Sequence, residues 1–174
     1  MNLEKLVFID ESGAKTNMTR LYGRAKAGKR VADDIPSGHW CTTTMISSMR
    51  LDGSTACMVV DGATDKDVFK AYVQHILLPT LKPCDIVIMD NLSAHKNQEV
   101  KDLIESVDVE IWFLPPYSPD LNPIEKMWSK IKAILRTLKA RTEQALVDAI
   151  AKALDAITAS DAKGWFESCG YIFS

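Results

Sequence analysis

Apolar positions along the chain follow two rhythms, one of period two and one of period three to four. Leu3 to Asp10 (LEKLVFID) is a short run of aliphatic, β-branched and aromatic residues, which predicts a buried strand. Alternation puts Leu6, Phe8 and Asp10 on one face and Val7, Ile9 and Glu11 on the other. Ser12-Gly13 is expected to end this strand. Residues 14–38 are polar, basic and glycine-containing, an extended excursion with a short strand expected around Arg20–Arg24. His39 to Leu51 and Ser54 to Val60 read as two strands joined at Asp52-Gly53, a strong hairpin signal.

The longer period then takes over. Thr64 is expected to cap a helix with Asp65 and Asp67 in its first turn, where the helix dipole favours acids. Val68, Phe69, Tyr72, Val73, Ile76 and Leu77 recur at helical spacing, and Pro79 ends the run. Asp85 to Asp90 predicts another buried strand. Lys96 to Val107 predicts a short helix with Val100, Leu103, Ile104 and Val107 in phase, and Val109 to Leu114 a further strand. Pro115, Pro116 and Pro119 stiffen the turn that follows. Asn122 as N-cap, Pro123 at the first position and Glu125 at the third open the longest helix. Its apolar stripe is Leu121, Ile124, Trp128, Ile131, Leu135 and Leu138. Thr142 caps another helix carrying Leu146, Ile150, Leu154 and Ile157. Ser160 is the expected cap of a last one, with Trp165, Phe166, Tyr171 and Phe173 as C-terminal anchors. Strand, hairpin, alternating helix and strand, then helices describe an α/β layered domain with a mixed sheet.

Length and composition fit one domain spanning 1–174, and 47% hydrophobic content is enough for a core. The net charge of −2 says little, but cations gather at Arg20–Arg30 and Lys126–Arg141. Cys41, Cys57, Cys84 and Cys169 form no CxxC pair, which argues against a zinc ribbon and a disulfide framework and suits a reducing, cytoplasmic setting. No apolar run reaches membrane-helix length, and no signal peptide precedes Leu3.

Three acids change the picture. Asp10 and Asp90 each end an apolar run, and Glu125 sits in the first turn of the long helix. Each has an ordinary explanation: Asp90-Asn91 is good turn chemistry, and Asn122-x-x-Glu125 fits a capping box. Together, with no Lys or Arg directly beside Asp10 or Asp90, converging acids would repel unless a cation compensated. Hard oxygen donors of this kind select Mg²⁺ or Mn²⁺. A pair of such ions can activate an attacking oxygen and stabilise a leaving one in phosphoryl displacement.

The blocks FIDESG, VIMDNLSAHK and PPYSPDLNPIEKMWSKIK, with 34 residues between Asp90 and Glu125, resemble the signature of the DDE transposase catalytic domain. The likeness is to the bacterial insertion-sequence 630 type within the Tc/mariner superfamily, and runs from Phe8 to about Tyr171. It implies a ribonuclease H-like mixed β-sheet flanked by α-helices. It also implies catalytic, metal-ligating roles for Asp10, Asp90 and Glu125, with two Mg²⁺ (or Mn²⁺) ions. The activity implied is Mg²⁺-dependent cleavage of double-stranded DNA at transposon ends, then attack of the freed 3′-OH on target DNA. Members normally carry an N-terminal helix-turn-helix region that recognises the ends. Asp10 lies only a few residues from Met1, so that region is expected to be absent here or separately encoded. A homodimer is a candidate assembly.

Several positions keep two readings. His95 either approaches the scissile phosphate or caps a helix. His39 and His75 lack metal spacing and read as structural. Asn91 and Asn122 either orient carboxylates or serve as turn and N-cap residues. Ser129, Lys132 and Arg136 share a helical face with Glu125, as a phosphate track or a solvated face. Arg20, Arg24, Lys26, Lys29 and Arg30 read as a DNA-binding arm or as a surface loop. Trp128 and Met45, Met49 and Met58 read as packing. Two other functions compete: a decayed or truncated transposase acting only as a nucleic-acid-binding or assembly module, and a ribonuclease H-type enzyme cutting RNA–DNA hybrids. The PYSPDLNPIE block points away from the latter.

Overall fold

A computed structural model describes residues 2–34, 40–91 and 97–172. His39, His95 and Phe173 lie outside the described residues. After a 3₁₀ turn at Leu3–Lys5, the strands are β1 (Leu6–Lys15), β2 (Thr42–Met49), β3 (Thr55–Asp61), β4 (Ile86–Met89) and β5 (Glu110–Phe113). The helices are α1 (Lys66–Tyr72), α2 (Gln98–Glu105), α3 (Pro123–Leu138), α4 (Glu143–Asp155) and α5 (Ala159–Ser168). Strand order is β3-β2-β1-β4-β5. The first three strands are antiparallel, and β4 and β5 add in parallel beyond β1. This is the mixed, helix-flanked sheet of a ribonuclease H-like domain.

The parity read from the first strand sorts the core. Leu6, Phe8 and Ile88 pack with Ile124, Met127, Trp128, Ile131 and Leu135 of α3, and with residues of α4 and α5. Val7, Ile9, Val87 and Met89 pack on the other face with α1, α2 and the turns after α1. Phe8 meets Phe166 and Tyr171 edge-on, at 5.2 and 5.3 Å between ring centroids. Trp128 is buried core, as are Met45 and Met49, and Met58 packs at the edge of the second cluster. All four cysteines are free thiols.

Several boundaries differ from the sequence reading, each for a local reason. β1 runs through Ser12-Gly13 to Lys15, because β2 pairs with it along that whole length and supplies the backbone partners. The residues around Arg20–Arg24 form no strand. Asp65, not Thr64, caps α1: its Oδ1 accepts from the N–H groups of Asp67 (3.0 Å) and Val68 (2.9 Å). Thr158, not Ser160, caps α5, in a reciprocal box with Asp161. Pro79 falls inside a terminal 3₁₀ turn at Leu78–Thr80, after a π-helical turn at Val73–Leu77. Leu121, Leu138 and Val107, placed in apolar stripes by periodicity, are exposed because they lie at helix ends beyond the sheet.

The hairpin turn does fall at Asp52-Gly53. Gly53 has φ 82, and a Cβ there would meet the Thr158 carbonyl carbon at 2.8 Å. Only glycine satisfies both conditions, so the β2–β3 turn can abut the start of α5.

Candidate active site

The parallel pairing of β1 with β4 stops where β4 ends, while β1 continues to Lys15 against β2. Their paired positions run Leu6–Ile86, Val7–Val87 and Phe8–Ile88. Two residues further along each strand come Asp10 and Asp90, on the face that carries Phe8 and Ile88. That face is the one α3 covers. Glu11 has the opposite parity. Ligand sites in open α/β sheets lie off the carboxyl ends of parallel strands. Asp90 follows the end of β4, whereas Asp10, expected to end its strand, lies inside β1 because β2 carries the pairing on to Lys15.

The third acid arrives from α3. Asn122 is the N-cap residue and Pro123 holds the first helical position. The capping box that this spacing allows does not form. The Asn122 side chain makes no cap hydrogen bond, and among the described residues its Oδ1 is buried without a partner. Glu125 therefore stands exposed in the first helical turn, with its carboxylate available to the space in front of the strands.

Asp10, Asp90 and Glu125 line one cleft of about 420 Å³, together with Asn91 and Asn122. Asp10 is 8% exposed, and its Oδ1 accepts from the Glu11 N–H at 2.8 Å. Asn91 donates its amide to the Leu114 carbonyl. That bond ties the end of β4 to the end of β5, next to the Leu114 N–H to Met89 carbonyl bond of 2.9 Å. Asn91 thus braces the strand end that delivers Asp90.

The donor set suits a hard divalent cation: three carboxylates and one orphaned carboxamide oxygen, with no sulfur. Among the described residues no three His, Cys, Asp or Glu side chains stand close enough to hold one ion as they are oriented. The exposed Glu125 is the member with room to turn inward.

Among the described residues the cations lie outside this cleft. Arg20, Arg24, Lys26, Lys29 and Arg30 are all exposed on an extended segment. The root of that segment is fixed by Arg141, which donates to the Thr16 and Met18 carbonyls at 2.9 and 3.0 Å. Further along, Asp33 pairs with Lys139, whose ammonium holds the Asp33 carboxyl below its ordinary range. Lys132 and Arg136 are half-buried on α3, and His75 is exposed. Sequence reasoning missed the outer wall of the cleft. Residues 114–119 form it, and their prolines signalled only a stiff turn.

Known proteins fit this picture. A family model for the DDE superfamily endonuclease matches residues 5–147. The Tcb2 transposase of a Caenorhabditis briggsae transposable element is 25% identical over 105 residues, covering 58% of this chain and 38% of that protein. The Mos1 transposase paired-end complex with the left transposon end superposes with a TM-score of 0.73 at 14% identity, over 95% of this chain and 52% of that one. The mariner Mos1 paired-end complex with Mg gives 0.71 at 16% identity, over 98% and 52%. At such identities the structural likeness speaks for the fold, and this chain spans about half or less of the length of these relatives. The family match covers both aspartates and the helix-borne glutamate, and on it the chain belongs to the DDE superfamily of endonucleases.

Proposed function

We propose that this chain is the catalytic domain of a transposase, cutting double-stranded DNA at transposon ends and joining them to target DNA. The observation that carries this reading is the meeting of three acids from three separate elements in one cleft. Asp10, Asp90 and Glu125 are the catalytic residues and hold two Mg²⁺ or Mn²⁺ ions. When bound, such ions would supply Lewis-acid activation of the attacking oxygen and charge stabilisation at the leaving oxygen. The complexes of Mos1 transposase with transposon-end DNA and with Mg support the choice of substrate and ion.

The protein's own part is positioning. Asp10 is fixed by β1, which pairs with β4 up to Phe8 and with β2 from Phe8 onward, Asp10 standing opposite Ser47. Asp90 is held by the Asn91 brace to β5. Water attacking phosphorus at the transposon end breaks the P–O3′ bond and leaves a 3′-hydroxyl and a 5′-phosphate. That hydroxyl, losing its proton, then attacks a target phosphodiester in line and expels the target's 3′-oxygen, which takes up a proton. Both displacements need the same oxygen-rich centre, so one cleft serves both. We further propose that a helix-turn-helix region outside these 174 residues recognises the ends, that a homodimer pairs them, and that the protein works in the cytoplasm at the nucleoid. Among the described residues no helix is long and apolar enough to cross a membrane. The decayed-module alternative is not favoured, since all three acids are present in the cleft.

The test is nicking of supercoiled DNA in Mg²⁺, Mn²⁺ or EDTA, with an RNA–DNA hybrid run in parallel. Metal-dependent nicking by the wild type and none by Asp90→Asn is the expected result. Equal nicking by the variant would refute the assignment, and preferential hybrid cleavage would make the domain a ribonuclease.

A further inference from the structure

The turn at residues 115–119 walls the carboxylate cleft and carries one residue that the chain's own packing does not explain. Tyr117 is wholly exposed, at 103% of its reference area. Its backbone has φ 57, in the left-handed region that a bulky side chain disfavours. Among the described residues its ring makes no stacking contact and its hydroxyl no hydrogen bond. Folding thus leaves this ring in water and holds its backbone in an unfavourable well, beside Asp10, Asp90 and Glu125. Strain that the surroundings maintain at such a place marks function. The surroundings here are Pro116 and Pro119 on either side, with Ser118 Oγ donating to the Pro116 carbonyl at 3.3 Å.

We propose that Tyr117 is a stacking platform for an unpaired base of the DNA substrate, seating the adjoining phosphodiester over the carboxylates. The inference rests on the nucleic-acid reading of that cleft. Among the described residues no Lys or Arg lines the cleft, so none of them ion-pairs with phosphate at this lip. An aromatic face offers the remaining affinity, and every base has a matching face. Bases inside a duplex hide theirs, so the platform selects a frayed or extruded nucleotide. A lone ring beside the exposed acid Asp120 is too small and too polar a patch for a stable protein interface.

The experiment compares wild type, Tyr117→Phe, Tyr117→Ala and Tyr117→Gly in Ca²⁺, which occupies oxygen sites without supporting efficient cleavage. The probes are a duplex with a short unpaired stretch containing 2-aminopurine, and the fully paired duplex. Wild type and Tyr117→Phe should quench the unpaired 2-aminopurine. Tyr117→Ala should lose the quench and bind the unpaired probe roughly 5- to 100-fold more weakly, the loss of one base–aromatic stack. Its binding to the paired duplex should not change. Tyr117→Gly, free to adopt the left-handed backbone, should lose the quench with a Tm no lower than wild type, which separates lost stacking from misfolding. Equal quench and affinity in wild type and Tyr117→Ala overturn the platform and leave the catalytic reading standing. A dimer that dissociates in Tyr117→Ala with the base signal intact makes the ring a protein contact instead. Failure of the wild type to bind either probe overturns both readings.

Discussion

Asp10 and Asp90 stand at matching positions, each two residues beyond the paired Phe8 and Ile88 of adjacent parallel strands. Strand pairing alone therefore brings two like charges together where β4 stops beside the continuing β1. Parity sends both toward α3, and the first turn of α3 supplies Glu125 to the same cleft. The neighbouring acid Glu11 is one residue out of phase.

That phase difference gives the sharpest mutational contrast. Asp10→Asn, Asp90→Asn and Glu125→Gln should each lower Mg²⁺-dependent phosphodiester cleavage by several hundredfold or more, since metal-borne charge stabilisation is worth several kcal/mol. Glu11→Gln, one position from Asp10, should keep near-wild-type activity. Rates under single-turnover conditions decide the matter, with circular dichroism to show that each variant is folded. A Glu11 variant as inactive as the Asp10 variant would mean that parity does not select the reacting group.

Metal should also stabilise the folded chain. Ions that bind only the native state add about 2.7 kcal/mol at a concentration one hundred times Kd. Titration of Mg²⁺, Mn²⁺ or Ca²⁺ should raise Tm for the wild type, and Asp90→Asn should lose most of that rise. Without metal, Asp90→Asn should be as stable as the wild type or more so, because one of the three acids no longer adds charge to the cleft. Differential scanning calorimetry with and without EDTA gives both comparisons. A metal-induced rise undiminished in Asp90→Asn would place the ion elsewhere.

Much of this was readable in the sequence because it rests on period and parity. The two faces of β1, the hairpin at Asp52-Gly53 and the opening of α3 at Asn122-Pro123 all follow from local rules. Caps were less secure, since neighbouring side chains compete for the same N–H groups: Asp65 outcompetes Thr64, and Thr158 outcompetes Ser160 through its reciprocal bond with Asp161. Contacts between distant residues left no local trace. Arg50 and Asp85 stand 35 positions apart and are hydrogen-bonded in the core. Nor could periodicity reveal a left-handed backbone at Tyr117, or that the Asn122 oxygen finds no partner among the described residues.

The Arg50–Asp85 pair is expected to dominate single-site stability at the end of the sheet remote from the cleft. Arg50 Nη2 reaches Asp85 Oδ2 at 2.5 Å and the Thr80 carbonyl at 2.9 Å, and the Lys82 N–H donates to the same carboxylate oxygen at 2.7 Å. Removing one partner strands a buried charge, so Arg50→Met should cost about 3–5 kcal/mol in urea unfolding. The double variant Arg50→Met/Asp85→Leu should recover most of that loss, because neither charge is then left buried. A double variant as unstable as the single one would show that the pair acts through packing rather than charge.

Asp161 provides a pH signature. The hydrogen bond from the Lys130 ammonium, reinforced by Thr158, lowers its carboxyl to about 2. A carboxyl depressed on folding contributes stability that is fully present above its unfolded value of about 4. That contribution fades as pH falls through 2. The pair is partly exposed, so the effect is modest. Asp161→Asn should cost about 1 kcal/mol at pH 7, in the range of a lost cap. The gap to wild type should narrow as pH drops from 4 toward 2. Denaturant midpoints measured across that window test the sign, and a gap that widens toward low pH would contradict the assignment to this carboxyl.

DNA binding by the isolated chain should be weak, indifferent to sequence and steep in salt. Arg20, Arg24, Lys26, Lys29 and Arg30 are exposed, and among the described residues none of them holds an ion pair. Lys132 and Arg136 extend from Glu125 along one face of α3. Such groups meet phosphate rather than base edges, which fixes position without reading sequence. Non-specific affinities of this kind are on the order of 10⁻⁴–10⁻⁶ M at physiological salt. Each phosphate contact contributes about 0.9 to the slope of log K against log salt. Lys132→Ala with Arg136→Ala should therefore reduce that slope by about 1.8 if both touch DNA, and weaken every duplex to the same degree. Lys139 should contribute less than its position suggests, because Asp33 already holds it. Asp33→Asn would free that ammonium and strengthen binding slightly at low salt. Fluorescence anisotropy with transposon-end and scrambled duplexes at two salt concentrations measures all of these. A strong preference for the end sequence would locate end recognition within these 174 residues and remove the need for a helix-turn-helix region elsewhere.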